Sequence, residues 1–187
     1  VYGFYVLIGG ASVMFVSRLD MIMIGALLGL EHVAFYTLAF YIGSVIKVPG
    51  KSIISISVPL LAKAWEEQDF KQIQAIYSKS SINQLIIGGL FFLCVWINID
   101  AIFSILPEKF SHGKWVVLCI GLAQLFNVAT GVNGAIIINS QYYKYDLYTN
   151  LLLVVITLIS NYLLIPKYGI NGAAMATAFS VLLFNLI

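Results

Sequence analysis

Apolar residues fill this chain in long blocks separated by short polar breaks. The first block covers about 4–28 and is interrupted by Arg18 and Asp20. Gly29-Leu30-Glu31-His32 makes a short turn, and a second block follows over about 34–62, holding Lys47, Pro49, Gly50, Lys51 and Pro59. The stretch from Lys63 to Asp69 is the most polar of the chain. A third block covers about 80–106 and stops at Pro107; a fourth covers about 115–139. The fifth, about 147–165, is ended by Pro166-Lys167-Tyr168-Gly169, and the sixth runs over 170–187. A hydrocarbon layer about 30 Å thick takes about 20 residues of helix to cross. Lipid offers the backbone no hydrogen bonds, so runs of this length are helical. Between the second and third blocks, residues 69–79 read as a short amphipathic helix. Asp69 caps it, with Gln72 placed as in a capping box. Phe70, Ile73, Ile76 and Tyr77 share one side, and Lys71, Gln72 and Lys79 stay wet, the pattern of a helix lying in the membrane interface.

The pattern therefore predicts an all-α integral membrane protein, one bundle of six transmembrane helices over 1–187. Short connections make neighbouring helices antiparallel. With Val1 on the cytoplasmic side, Lys63, Lys71, Lys79 and Lys144 fall inside and Lys109, Lys114 and Lys167 outside, a small lean in that direction.

Composition excludes a soluble domain. Of 187 residues, 61% are hydrophobic and only 10% charged, where a soluble domain carries about 25%. The net charge is +2 and no basic run carries interleaved aromatics, so no nucleic-acid partner is expected. Cys94 and Cys119 sit in apolar stretches and read as packing residues. The chain opens on Val1 and closes on Ile187, each inside an apolar run, as expected of part of a longer protein. No Walker A loop, dinucleotide glycine fingerprint, HExxH or Gly-x-Ser-x-Gly is present, so neither an enzyme nor a cofactor is expected. Transport would draw on an ion gradient, the substrate's own gradient or a separate subunit.

Polar positions inside the blocks change the picture most. At 100° per residue, Tyr36, Phe40, Ser44, Lys47, Lys51 and Ser55 fall in one stripe of the second span. Lys47 lies about 20 Å of helix from either end, too far for a lysine stem to snorkel. A lysine facing lipid there costs at least about 2.5–3.5 kcal/mol. The stripe is thus expected to face a water-filled cavity lined by Lys47 and Lys51, with a buried structural ion pair as the alternative. Arg18 and Asp20, two residues apart, point to nearly opposite sides of their helix. Antiparallel return of the second span is expected to bring Asp20 level with 42–47, where it either pairs with Lys47 or titrates as a coupling site. Further polar faces comprise Gln124, Asn127, Gly131 and Gly134 in the fourth span, and Asn150, Thr157 and Asn161 in the fifth. Gly172, Ala173, Ala174 and Ala176 give the sixth a small-residue surface for close approach.

Several runs carry a family resemblance. Arg18-Leu-Asp20-Met-Ile-Met-Ile-Gly25, Leu28-Gly-Leu-Glu31 and Val33-Ala-Phe-Tyr36 resemble the polysaccharide biosynthesis exporters of the multidrug/oligosaccharidyl-lipid/polysaccharide (MOP) flippase superfamily. So do Pro49, Val58-Pro59-Leu-Leu-Ala62 and Tyr168-Gly169-Ile-Asn-Gly172-Ala-Ala with Ala176-Thr177. The resemblance implies half of a MATE-like two-bundle transporter, closest to the second six-helix bundle, working with the remaining half of the same chain. It implies a flippase for undecaprenyl-pyrophosphate-linked oligosaccharide in the bacterial cytoplasmic membrane, with membrane lipids around it. Cationic residues then meet the pyrophosphate, and Lys47, Lys51 and Arg18 are the candidates. Ser44, Ser55, Tyr36, Gln124 and Asn127 complete the candidate cavity, and Asp20 is the candidate for ion coupling. A multidrug antiporter exporting organic cations, or a non-transporting membrane scaffold, stands as the alternative.

Overall fold

The computed structural model describes residues 18–186. The larger part of the first block, 4–17, lies outside the described residues. Among the described residues every regular element is helical. Helix α1 occupies 18–27, followed by α2 (Leu30–Ser44), a 3-10 turn (Val45–Lys47), α3 (Val48–Glu66) and α4 (Phe70–Ile97). Then come α5 (Ile99–Ile105), a second 3-10 segment (Glu108–Gly113), α6 (Lys114–Ala129), α7 (Asn133–Ile138) and α8 (Tyr143–Leu186). Among the described residues, four stretches are long and apolar enough to cross a membrane: Leu30–Glu66, Phe70–Ile97, Glu108–Ala129 and Lys144–Leu186.

Helix α6 is the axis of the bundle. It packs against α2, α4 and α8, and Val116, Val117, Ile120 and Ala123 are all but inaccessible. Ile24, Tyr36, Ala39, Ile165, Ala173 and Ala174 close around it in one apolar cluster. A smaller cluster of Leu61, Ala64, Ile73 and Val132 seals the other end.

The breaks have local causes. Gly29 takes φ 99°, a conformation that side chains resist, and lets α1 turn straight into α2. Pro49 has no N–H to give to the carbonyl of Val45. The ladder therefore tightens just before it, and the amide of Val48 donates instead to Val45. The bend in the second span sits at Val45–Lys47, with Pro49 in the first turn of the new helix.

α8 is 44 residues long, about 66 Å if straight, roughly twice a bilayer core. It does not run straight. Gly169 at φ 60°, ψ −137° breaks it. Beyond that point the chain folds back so tightly that a Cβ on Gly172 would lie 2.2 Å from the Leu164 carbonyl oxygen. Ala173, Ala174 and Ala176, the small residues flanking this contact, are fully buried.

Four expected boundaries are corrected. Residues 69–79 do not form a separate interfacial helix. Asp69 does cap, accepting from the Gln72 amide at 3.0 Å, but the helix then continues unbroken to Ile97. Ser80 and Gln84, at the expected start of the third block, are both buried against protein, and no glycine or proline interrupts the helix there. The third block breaks at Asn98, and the fourth at Thr130–Val132, where Gly131 has φ 64°. The fifth continues through Pro166 to the reversal at Gly169.

Candidate functional site

Bending at Val45–Lys47 puts Lys47 on the inner side of the second span, half-buried, with Lys51 one turn on and exposed. Lys47 lines three cavities. One, of about 460 Å³, is walled by Arg18, Phe40, Tyr41, Ser44, Val45, Val48 and both lysines. A second, of about 220 Å³, lies between α3, α4 and the break from α6 to α7. Both lysines line it, along with Gly50, Gln84, Asn127 and Asn133. The third, of about 180 Å³, reaches inward past Phe40 to Asp20, Gln124, Asn127, Thr157, Thr177 and Ser180. The walls are largely apolar with a few polar groups, and the charges they carry are two lysines, one arginine and one carboxylate. A pair of ammonium groups one turn apart repel each other until an anion lies between them.

Most of the sequence-expected cavity residues come together here. Lys47, Lys51, Arg18 and Ser44 share the first cavity. Asn127 joins the lysines in the second, and Gln124 and Asn127 join Lys47 in the third. Arg18 Nη1 donates to the Tyr41 hydroxyl at 3.4 Å, which holds it against α2. Ser55 is exposed, and its hydroxyl donates to the Lys51 carbonyl at 2.9 Å. Tyr36 is a correction. It is fully buried rather than on a cavity wall, and donates to Asp20 Oδ2 at 2.7 Å.

Asp20 is a correction of register. The turn at Gly29 is so tight that Asp20 stands level with Tyr36, not with 42–47. No ion pair joins Asp20 to Lys47 among the described residues; its carboxylate accepts from two hydroxyls, Tyr36 and Thr177, the latter at 2.9 Å. Arg18, on the opposite side of α1, is exposed while Asp20 is buried, as their spacing requires. The polar face of Asn150, Thr157 and Asn161 is buried, and Thr157 lies in the Asp20 cavity.

Gln84, Asn133 and Thr177 were not among the expected site residues. Gln84 had a legible signal: Ser80, Gln84 and Gly88 recur every fourth residue, and all three are buried. Asn133 had none, because the break at Gly131 that brings it to the cavity is set by tertiary packing. A Cβ on Gly131 would lie 2.9 Å from Ser80 Oγ, and the Ser81 hydroxyl donates to the Ala129 carbonyl beside it.

The chain was compared with known proteins. Over 180 residues it is 23% identical to the probable low-salt glycan biosynthesis flippase Agl15 of Haloferax volcanii, covering 96% of this chain and 38% of that protein. Over 194 residues it is 29% identical to the uncharacterized membrane protein MJ1068 of Methanocaldococcus jannaschii, covering 95% of this chain and 36% of that protein. The chain thus spans a little over a third of the length of these curated relatives. No solved structure matches it. The MatE family model matches residues 6–163, and by that match the chain belongs to the MatE family.

Proposed function

We propose that this chain forms one six-helix bundle of a two-bundle transporter that flips lipid-linked oligosaccharide across the cytoplasmic membrane. The observation that carries the proposal is the pair Lys47 and Lys51, in mid-span, sharing two cavities with polar side chains. A cationic mid-membrane cavity suits an anionic head group and disfavours an organic cation. The relative from Haloferax volcanii, whose name is that of a glycan biosynthesis flippase, supports the substrate class. In its specific form the proposal takes undecaprenyl pyrophosphate as carrier, a bacterial membrane as location, and the second bundle as this chain's place.

The proposal takes six crossings. The first runs through α1, the second through α2 and α3, the third through α4, and the fourth through α6 and α7. The reversal at Gly169 divides α8 into the fifth and sixth. Asp20 is the proposed coupling carboxylate, because it is a buried acid lining the same cavity as Lys47.

The test uses the intact transporter. Lys47→Ala combined with Lys51→Ala is expected to abolish glycan export in cells while the protein accumulates normally in the membrane. Export at the wild-type rate by that double variant would make the lysines structural and end the proposal.

A further inference from the structure

We infer that the cavity between α3, α4 and the α6–α7 break is where the diphosphate itself sits, with the Gln84 side-chain amide as its neutral hydrogen-bond donor. The inference rests on the transport reading above and adds to it a seat and a direction-setting residue.

Lysines supply charge without much shape, since an ammonium is a compact point charge on a flexible stem. A diphosphate, with its many acceptor oxygens, is oriented by donors that are held in place. Gln84 meets that requirement. It is 3% exposed, it lines the cavity with both lysines, and its Nε2 has no hydrogen-bond partner in the protein. A buried donor left unpaired is costly, and burial makes it strong toward any acceptor that arrives.

Its position is fixed from behind. Gly50 lets α3 come so close to α4 that a Cβ there would lie 2.8 Å from Gln84 Oε1. Gly50 itself sits between Lys47 and Lys51 on the bent helix, so one close approach brings both lysines and the amide to the same space. Asn127 and Asn133 stand on other walls of the cavity, offering amides that carry no charge to compete with the lysines. The lysines would thus draw the anion in, and the amide would fix which way it lies.

The experiment is calorimetric titration of the purified full-length transporter with farnesyl diphosphate, and separately with inorganic pyrophosphate. Wild type is expected to bind the isoprenyl diphosphate at least as tightly as pyrophosphate. Gln84→Met keeps the length of the side chain and removes the donor; it should weaken binding about tenfold or more. Gln84→Glu keeps shape and polarity but places a negative charge beside the diphosphate, so it should weaken binding further. Melting temperatures of each variant separate loss of fold from loss of site, and the isosteric polar Glu variant decides if Met does not fold.

Wild-type affinity in a folded Gln84→Met or Gln84→Glu protein, with binding lost in Lys47→Ala/Lys51→Ala, would overturn the inference and leave the transport reading standing. Tighter binding by Gln84→Glu would do the same, showing that the amide serves the lysines. A wild-type protein that binds pyrophosphate but not the isoprenyl diphosphate would keep the seat and overturn the lipid-linked substrate. Binding of neither probe by wild type would overturn both.

Discussion

Tyr36 and Asp20, sixteen residues apart on neighbouring helices, are joined by a 2.7 Å hydrogen bond in the buried centre of the bundle. The same Asp20 oxygen accepts from Thr177, so three helical segments distant in sequence meet at one carboxylate. Such a group can be a rivet or a working acid, and substitution separates the two. Asp20→Asn keeps the shape and removes the charge. A rivet predicts low membrane abundance; a coupling acid predicts normal abundance with transport lost. Wild-type abundance and wild-type transport together would refute both roles. Tyr36→Phe removes only the donor and should lower stability by about 0.5–1.5 kcal/mol, the net worth of a typical hydrogen bond, read as a drop in melting temperature.

The reversal in α8 depends on two glycines for different reasons. Gly169 occupies φ 60°, ψ −137°, a region costing a side chain about 1–3 kcal/mol. Gly172 has no room, since its Cβ would meet backbone at 2.2 Å and backbone cannot step aside cheaply. Gly172→Ala is therefore expected to be the more damaging, forcing the two arms of the hairpin apart. Thermal unfolding of each variant in detergent should rank Gly172→Ala below Gly169→Ala. The opposite ranking would mean that the arms are less tightly apposed than this geometry requires.

Topology is checked by labelling. With Cys94 and Cys119 replaced, single cysteines at Gln68 and Gln141 should label from one face of intact cells, and those at Glu31 and Lys109 from the other. Labelling of Gln68 and Lys109 from the same face would remove one crossing between them and break the six-span assignment.

Much of this organisation was legible because lipid leaves a chain few choices. Long apolar runs had to be helices, and buried small residues at 172–176 announced a close helix contact. Mid-span Lys47 pointed to a cavity because its stem could not reach water along the helix. What was not legible depended on where polar residues faced. Residue 80 reads in the sequence as the edge of a span, whereas Ser80 and Gln84 lie on the buried side of one continuous helix. Tyr36 shared a stripe with Lys47, but a helix stripe widens into different neighbours along its length. At the Tyr36 level it meets Asp20, and one turn later, at Phe40, it meets the cavities. The level of Asp20 hung on the number of residues in one turn, and Gly29 made that turn shorter than the polar run suggested.

The two lysines should not contribute equally. Lys47 is half-buried and lines all three cavities, including the one that reaches Asp20, whereas Lys51 is exposed and lines two. Attraction between a cation and an anion strengthens as water is excluded, so the half-buried ammonium carries more of the binding. Lys47→Ala alone is accordingly expected to cost more export than Lys51→Ala alone. The loss from Lys51→Ala should also shrink as ionic strength rises in a reconstituted vesicle assay, because the exposed ammonium is the more screened of the two. Arginine at each position keeps the charge but replaces a compact head with a broad planar fork. Lys51→Arg, at the exposed position, should retain most activity. Lys47→Arg, crowded where three cavities meet, should retain only part. Equal losses at the two positions, for alanine and for arginine alike, would mean that the cavities do not rank the lysines as their burial does.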